Sequence, residues 1–209
     1  MAEPVARSPI PPRPPVVVTA GWEVSGRRAE GNLILTDCTP LAKVVIRAPV
    51  AGHMAAELAV PFGRAARQQA GILVVGSGPG EWLLIAPPGQ AADLVTRFGG
   101  KAGQAPGETV SVIDLTHGRA LMRLTGARAA EVLAAVCGID LSDAVTPDGA
   151  AFRTSVAAVA TDVVRDDLAG VRSFLLHCER SSGLYLFDSV LAAGRDLGTQ
   201  VGGFTIPGI

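Results

Sequence analysis

Apolar positions in this chain follow two spacings, one suited to strands and one to helices. The run KVVIRA (43–48) predicts a strand, and Val50, Met54 and Leu58 follow at i, i+4, i+8, a stripe that predicts a short helix. ILVVG (72–76) and EWLLIA (81–86) predict two further strands. Ala91, Leu94, Val95 and Phe98 repeat at i, i+3, i+4, i+7, an amphipathic helix that Gly99-Gly100 is expected to end. TVSVIDL (109–115) is the next strand.

The same order then recurs. RALMRL (119–124) predicts a strand, and Thr125-Gly126 is expected to open a helix whose buried face is Ala129, Val132, Leu133 and Val136, stopped by Gly138. FRTSVAAVATDVV (152–164) and RSFLLHC (172–178) read as strands, and Leu184, Phe187, Val190 and Leu191 mark a last helix ending near Gly198. Strand, helix, strand, strand, helix thus occurs twice, at an offset of about 75–90 residues. The pattern predicts an α+β fold over residues 21–198, with halves at about 36–115 and 116–198 and helices packed on antiparallel sheets. Residues 1–20, rich in proline, are expected to form a stiff disordered leader, although Pro9, Pro11, Pro12, Pro14 and Pro15 around Arg13 also have the spacing of a polyproline II ligand. Residues 199–209 are expected to be a flexible tail in which Phe204 and Ile206 can dock.

Composition narrows the functional classes. With 209 residues, 48% hydrophobic and 18% charged, the chain can bury a core. A net charge of −1 and 4% aromatic residues argue against nucleic-acid binding and against electrostatic membrane binding. Cys38, Cys137 and Cys178 are widely separated and show no metal-ligand spacing, which suggests a reducing, cytoplasmic setting. No apolar run approaches the length of a membrane span.

Candidate chemistry is sparse. Gly76-Ser77-Gly78-Pro79-Gly80 after an apolar run imitates a dinucleotide-binding loop, but Glu81 occupies the third glycine position and WLLIAPP follows where a helix would have to begin. A hairpin turn is the expected structure. His53, His117 and His177 are isolated from one another, and Val164-Arg165-Asp166-Asp167 is expected to be a solvated turn. No nucleophile elbow or metal motif occurs, so no metal site is expected, and Asp140 is the one catalytic candidate.

Residues 110–141 carry a likeness. Asp114-Leu115-Thr116, Leu124-Thr125-Gly126-Ala127-Arg128-Ala129 and Cys137-Gly138-Ile139-Asp140-Leu141 together resemble the folate-binding aminomethyltransferase superfamily. Within it, the gamma-subunit family of heterotetrameric sarcosine oxidases is similar at Gly80-Glu81-Trp82-Leu83-Leu84, at Val136–Leu141, at Phe152-Arg153-Thr154-Ser155-Val156-Ala157 and at Glu179-Arg180-Ser181-Ser182. The likeness spans about residues 33–198, each motif being short and their succession making the case.

The resemblance implies a folate-binding fold without a cofactor of its own, in a non-catalytic gamma subunit. It implies alpha and beta flavoprotein partners carrying FAD, FMN, NAD and tetrahydrofolate. The assembly would oxidatively demethylate sarcosine to glycine and pass the one-carbon unit to tetrahydrofolate, as part of sarcosine catabolism. Asp140 falls where the transferases of the superfamily place a folate-contacting aspartate, so it is the one catalytic and folate-binding candidate, against a turn-capping role. Trp82, Arg153, Arg180, Phe204 and Ile206 are candidate interface residues. Two other readings stand beside this one: a free-standing folate-binding or aminomethyltransferase-like protein, and a scaffold subunit of another flavin amine oxidase.

Overall fold

The computed structural model describes residues 4–68, 71–102 and 107–206. Two largely antiparallel sheets lie face to face and each is covered on its outer side by two helices. The five-stranded sheet joins β5 (Ala42–Arg47), β6 (Ala65–Arg67), β7 (Leu73–Gly78), β8 (Glu81–Ala86) and β9 (Ser111–Asp114), in the spatial order β6-β7-β8-β5-β9. The six-stranded sheet is built from β4 (Leu33–Asp37), β10 (Arg119–Gly126), β11 (Ala151–Val156), β12 (Val159–Arg165), β13 (Ser173–Glu179) and β14 (Gln200–Gly202). Its order is β11-β12-β13-β10-β4-β14, and its one parallel pairing joins β14 to β4.

Three apolar clusters fill the three interfaces, and period-two alternation along the strands assigns each residue to one of them. Ala42, Val44 and Ile46 of β5 meet Met54 and Leu58 of α1 (His53–Leu58) and Leu94 and Phe98 of α2 (Ala91–Ala102). Ala120, Met122 and Leu124 of β10 meet Val132 and Leu133 of α3 (Ala129–Ala134) and Leu186, Phe187 and Val190 of α4 (Gly183–Ala193). Val45, Leu73, Leu83 and Ile85 from one sheet face Leu121, Val164 and Leu175 from the other. Strands buried on both sides explain the near-continuous apolar runs in the sequence.

The hairpin expected at the glycine loop is present. β7 and β8 pair antiparallel with Gly78 opposite Glu81, leaving Pro79-Gly80 as a two-residue turn. Gly80 has φ +71°, and a Cβ there would sit 2.4 Å from the Ala48 carbonyl oxygen, so both conformation and space require glycine.

Several boundaries differ from expectation. α2 runs through Gly99-Gly100 to Ala102, because neither glycine takes a left-handed conformation that would end it. β10 continues through Gly126, so the third helix opens at Ala129 rather than at Thr125-Gly126. FRTSVAAVATDVV folds as a hairpin, with Ala157 and Ala158 both at positive φ.

The leader is not disordered over its described part. β1 (Ala6–Arg7) pairs parallel with β3 (Trp22–Ser25), which pairs antiparallel with β2 (Val16–Thr19), while Ile10 is buried in the cluster beneath α4. The tail is likewise built in: β14 extends the six-stranded sheet and Phe204 is buried between the sheets. Residues 1–3 and 207–209, parts of the expected leader and tail, lie outside the described residues. β4 and β14 flank the expected halves in sequence yet belong to the second half's sheet, a consequence of pairing that alternation within each segment does not encode.

Candidate functional site

The layer between the sheets holds the chain's unusual chemistry. Alternation turns Lys43 away from the helices and into this layer, where it is fully buried. Its Nζ donates to the carbonyls of Thr39 and Leu41, each at 2.7 Å. Burial brings its pKa down to about 7, against Asp37, Cys38 and Asp114, which favour the ammonium. Two carbonyl acceptors match the two hydrogens of a neutral amine. Asp37 is pushed up by burial, with bonds from Ser8 and Thr39 opposing.

Two further polar side chains share the layer. His177 Nδ1 lies 3.4 Å from Asp162 Oδ2, while its buried Nε2 has no partner among the described residues. Burial lowers the His177 pKa against the pull of Asp162, so the ring is neutral at neutral pH. Burial would raise Asp162, but bonds from His177 and Arg153 outweigh it and leave the carboxyl low. Arg123, also buried, donates through Nη2 to Asp166 Oδ2 at 2.6 Å and through Nη1 to Ser173 Oγ at 2.8 Å. Arg67, from the opposite sheet, donates to the same Asp166 oxygen at 2.6 Å.

The segment 164–167 is therefore not a solvated turn. Arg165 and Asp166 are buried, and Arg165 joins Asp167 at 2.9 Å, Asp143 at 2.5 Å and the Thr146 carbonyl at 2.7 Å. Lys43 and Arg123 are site residues that the sequence reading missed, and Asp166 was expected only as part of a solvated turn. The signal for Lys43 and Arg123 is a charge inside an apolar strand, as in KVVIRA and RALMRL, which marks an inward-facing polar residue once both strand faces are known to be buried.

The sequence-predicted residues are dispersed over the molecule. Asp140 is exposed, and its Oδ1 accepts from the Ser142 backbone N–H at 2.9 Å, the bond that chiefly lowers its pKa. This is an Asx-type turn. Trp82 is buried against α1 and α2 and donates Nε1–H to the Val60 carbonyl at 2.7 Å. Arg153 pairs with Asp162 at 2.6 Å and reaches Glu81 at 3.9 Å, bridging the sheets at their rim. Arg180 donates to the carbonyls of Arg7 at 2.6 Å and His117 at 3.3 Å, holding the leader to the second half. Phe204 is interior, whereas Ile206 is 55% exposed.

Burial raises the Cys38 thiol to about 12 and the Cys178 thiol to about 11, so neither supplies a thiolate at neutral pH. Among the described residues no group of three or more His, Cys, Asp or Glu side chains is arranged to hold a metal ion, and no helix is long and apolar enough to cross a membrane.

The surface carries a groove of about 390 Å³ beside the glycine hairpin. Val50 (66% exposed) and Phe62 (64% exposed) flank it, with Pro61, Pro79 and the Trp82 edge between them. Trp82 Nε1–H is held by the Val60 carbonyl, and the Ala48 N–H donates to the Gly80 carbonyl at 3.0 Å.

The model of the GCVT N-terminal domain family matches residues 67–206. The chain is 36% identical over 123 residues to the sarcosine oxidase subunit gamma of Arthrobacter sp., covering 53% of this chain and 56% of that one. It is 35% identical over 122 residues to the sarcosine oxidase subunit gamma of Corynebacterium sp. (strain P-1), with the same coverage. The matches thus span little more than half the length of these curated relatives. A chain of the heterotetrameric sarcosine oxidase from Corynebacterium sp. U-96, solved in complex with pyrrole 2-carboxylate, has the same fold. It superposes with a TM-score of 0.70 at 24% identity, over 83% of this chain and 90% of that one.

Proposed function

Since the chain belongs to the GCVT N-terminal domain family, we propose that it works as a gamma-type subunit of a sarcosine oxidase-like complex, in the cytoplasm. The observation that carries this reading is the 35–36% identity to two sarcosine oxidase gamma subunits. The geometry supports it. Arg123, Arg153 and Arg180, groups suited to gripping an anionic substrate, are bound to partners within the chain, and the buried thiols are poor nucleophiles. Exposed apolar side chains at Val50, Phe62 and Val18 supply surface for assembly.

In this proposal the alpha and beta subunits are flavoproteins holding FAD, FMN, NAD and tetrahydrofolate. The complex converts sarcosine to glycine and passes the one-carbon unit to tetrahydrofolate. The gamma chain contributes structure rather than chemistry, and Asp140 caps its turn without contacting folate. Arg153 and Arg180 act on any interface through the surfaces they hold in place, and Ile206 is an exposed contact.

Co-expression with the alpha and beta flavoprotein subunits of a sarcosine oxidase, followed by sizing, tests the proposal. The expected result is one assembly that oxidises sarcosine, from which the isolated chain emerges colourless and inactive. Recovery of a monomer beside soluble, unbound flavoproteins would overturn it.

A further inference from the structure

We propose that the outer edge of β2 docks an extended, carboxylate-bearing strand of a partner subunit, which joins the β1-β3-β2 sheet as a fourth strand. The inference rests on the reading of the chain as a subunit of a complex and specifies how one contact is made.

Backbone pairing shows which groups are free. Gly26 N–H donates to the Pro15 carbonyl at 2.8 Å, so residues 15 and 26 form a hydrogen-bonded pair. In an antiparallel ladder such pairs alternate, which makes 17 with 24 and 19 with 22 the next bonded pairs. The N–H and C=O of Val16 and Val18 therefore point away from β3, whose other side is occupied by β1. Two outward donor and acceptor sets, about 6.8 Å apart, match the repeat of another strand.

The side chains leave this edge open. Val16, Val17 and Val18 are 49%, 41% and 61% exposed, so apolar surface flanks the free backbone on both sides. The strand holds no charge, proline or bulge between residues 16 and 19, the devices that usually guard an edge. Ala20 and Gly21, at φ 49° and 77°, close a tight turn that holds β2 against β3.

Charge identifies the occupant further. Arg13, Arg27 and Arg28 are exposed at the Pro15–Gly26 end of the ribbon. None of the three enters a salt bridge among the described residues, whereas Arg7 on the same ribbon is paired with Glu23. A strand with Asp or Glu at that end complements them. A second copy pairing antiparallel through β2 would place its uncharged Ala20-Gly21 turn beside these arginines, leaving them without carboxylates from that strand.

The test uses the full chain with its co-expressed flavoprotein subunits. In the complex, amide exchange at Val16 and Val18 should slow at least about tenfold, while Val17, already bonded to β3, stays unchanged. Val18→Pro removes an outward N–H and no β2–β3 bond, and should weaken assembly about tenfold. Val18→Thr keeps the N–H and should assemble normally. Arg27→Glu with Arg28→Glu should weaken assembly most at low salt. A complex in which the Val16 and Val18 amides exchange as fast as in the free chain, or in which Val18→Pro binds as wild type, overturns the edge site alone. Pairing of two copies through β2 also overturns it. A wild-type chain that joins no flavoprotein overturns the subunit reading and the edge site together.

Discussion

Arg67 and Asp166 meet across the space between the two sheets, Nη2 to Oδ2 at 2.6 Å, although 99 positions separate them in the chain. The same carboxylate oxygen accepts from Arg123, whose guanidinium is buried and whose Nε has no partner among the described residues. One carboxylate thus ties a strand of the five-stranded sheet to two of the six-stranded one. Asp166→Ala should destabilise by about 3–5 kcal/mol in urea unfolding, because it strands a buried guanidinium. Arg67→Ala should cost about 1 kcal/mol, its side chain being one-third exposed. Equal losses for the two substitutions would show that the pairing, rather than the burial of Arg123, sets the energy.

The Lys43 amine predicts a pH dependence with a definite sign. An exposed lysine titrates near 10.5 and this one near 7, so between those values the unfolded chain binds a proton that the folded chain does not. Stability therefore rises with pH over that interval, by up to about 1.4 kcal/mol per unit, and is constant with respect to this group below 7. The buried thiols oppose this only above their ordinary value of 9, where their raised pKa values begin to favour the folded state less as pH increases. Urea unfolding between pH 7 and 9 should show the slope, and Lys43→Met should abolish it. An unchanged slope in Lys43→Met would exclude Lys43 as its source.

What could be read from the sequence follows the range of the forces involved. The strands 43–48, 72–76 and 81–86 were legible because their apolar runs are local, and the hairpin at Pro79-Gly80 because a helix cannot start in WLLIAPP. Three features depended on distant pairing and were not legible. β4 lies between β10 and β14; Ile10 enters a core whose other members begin at Leu33; and Asp166 is buried by arginines at 67 and 123. At the candidate site, Asp140 had a motif to mark it, and its side chain accepts from the Ser142 N–H at an exposed turn. Lys43 had none, since a lysine in an apolar strand ordinarily faces water.

Ala157 and Ala158 form the tip of the β11–β12 hairpin with φ of 48° and 64°, a left-handed conformation that costs a residue with a Cβ about 1–2 kcal/mol. Ala158 is exposed, so glycine there relieves strain without opening a cavity. The freer unfolded chain offsets about 0.4–1 kcal/mol of that relief. Ala158→Gly should therefore raise stability by about 0.5–1 kcal/mol in chemical unfolding. A loss would mean that the hairpin, not the residue, stores the strain.

Asp140 is exposed and accepts from the Ser142 N–H, the arrangement of a turn cap. Tetrahydrofolate added to the isolated chain should leave its Tm unchanged. Binding at 100 times Kd would add about 2.7 kcal/mol, a shift easily seen. A clear shift that Asp140→Asn removes would restore the folate-contact role.

Phe204 decides what truncation of the C-terminal segment means. Its ring is buried between the sheets, its N–H donates to the Ser25 carbonyl at 3.1 Å, and Gly203 N–H donates to the Arg27 carbonyl at 2.8 Å. Gln200, two positions after Gly198, accepts through its side chain from the N–H groups of Glu30 and Gly31 and pairs with β4. Removing residues 199–209 thus strips an edge strand from the six-stranded sheet and opens the inter-sheet core beneath the N-terminal ribbon. Phe204→Ala should cost about 3–5 kcal/mol from the lost ring and the cavity left behind, and the truncation should cost more. Ile206→Ala, at an exposed position, should change stability by less than about 0.5 kcal/mol. Loss of assembly in the truncated chain would then follow from unfolding of the surface that the tail supports, whereas loss in Ile206→Ala alone would mark a contact made by the tail itself. Thermal unfolding of the three variants beside wild type separates the two, and a truncated chain that melts with wild-type Tm would show that the tail is dispensable to the core.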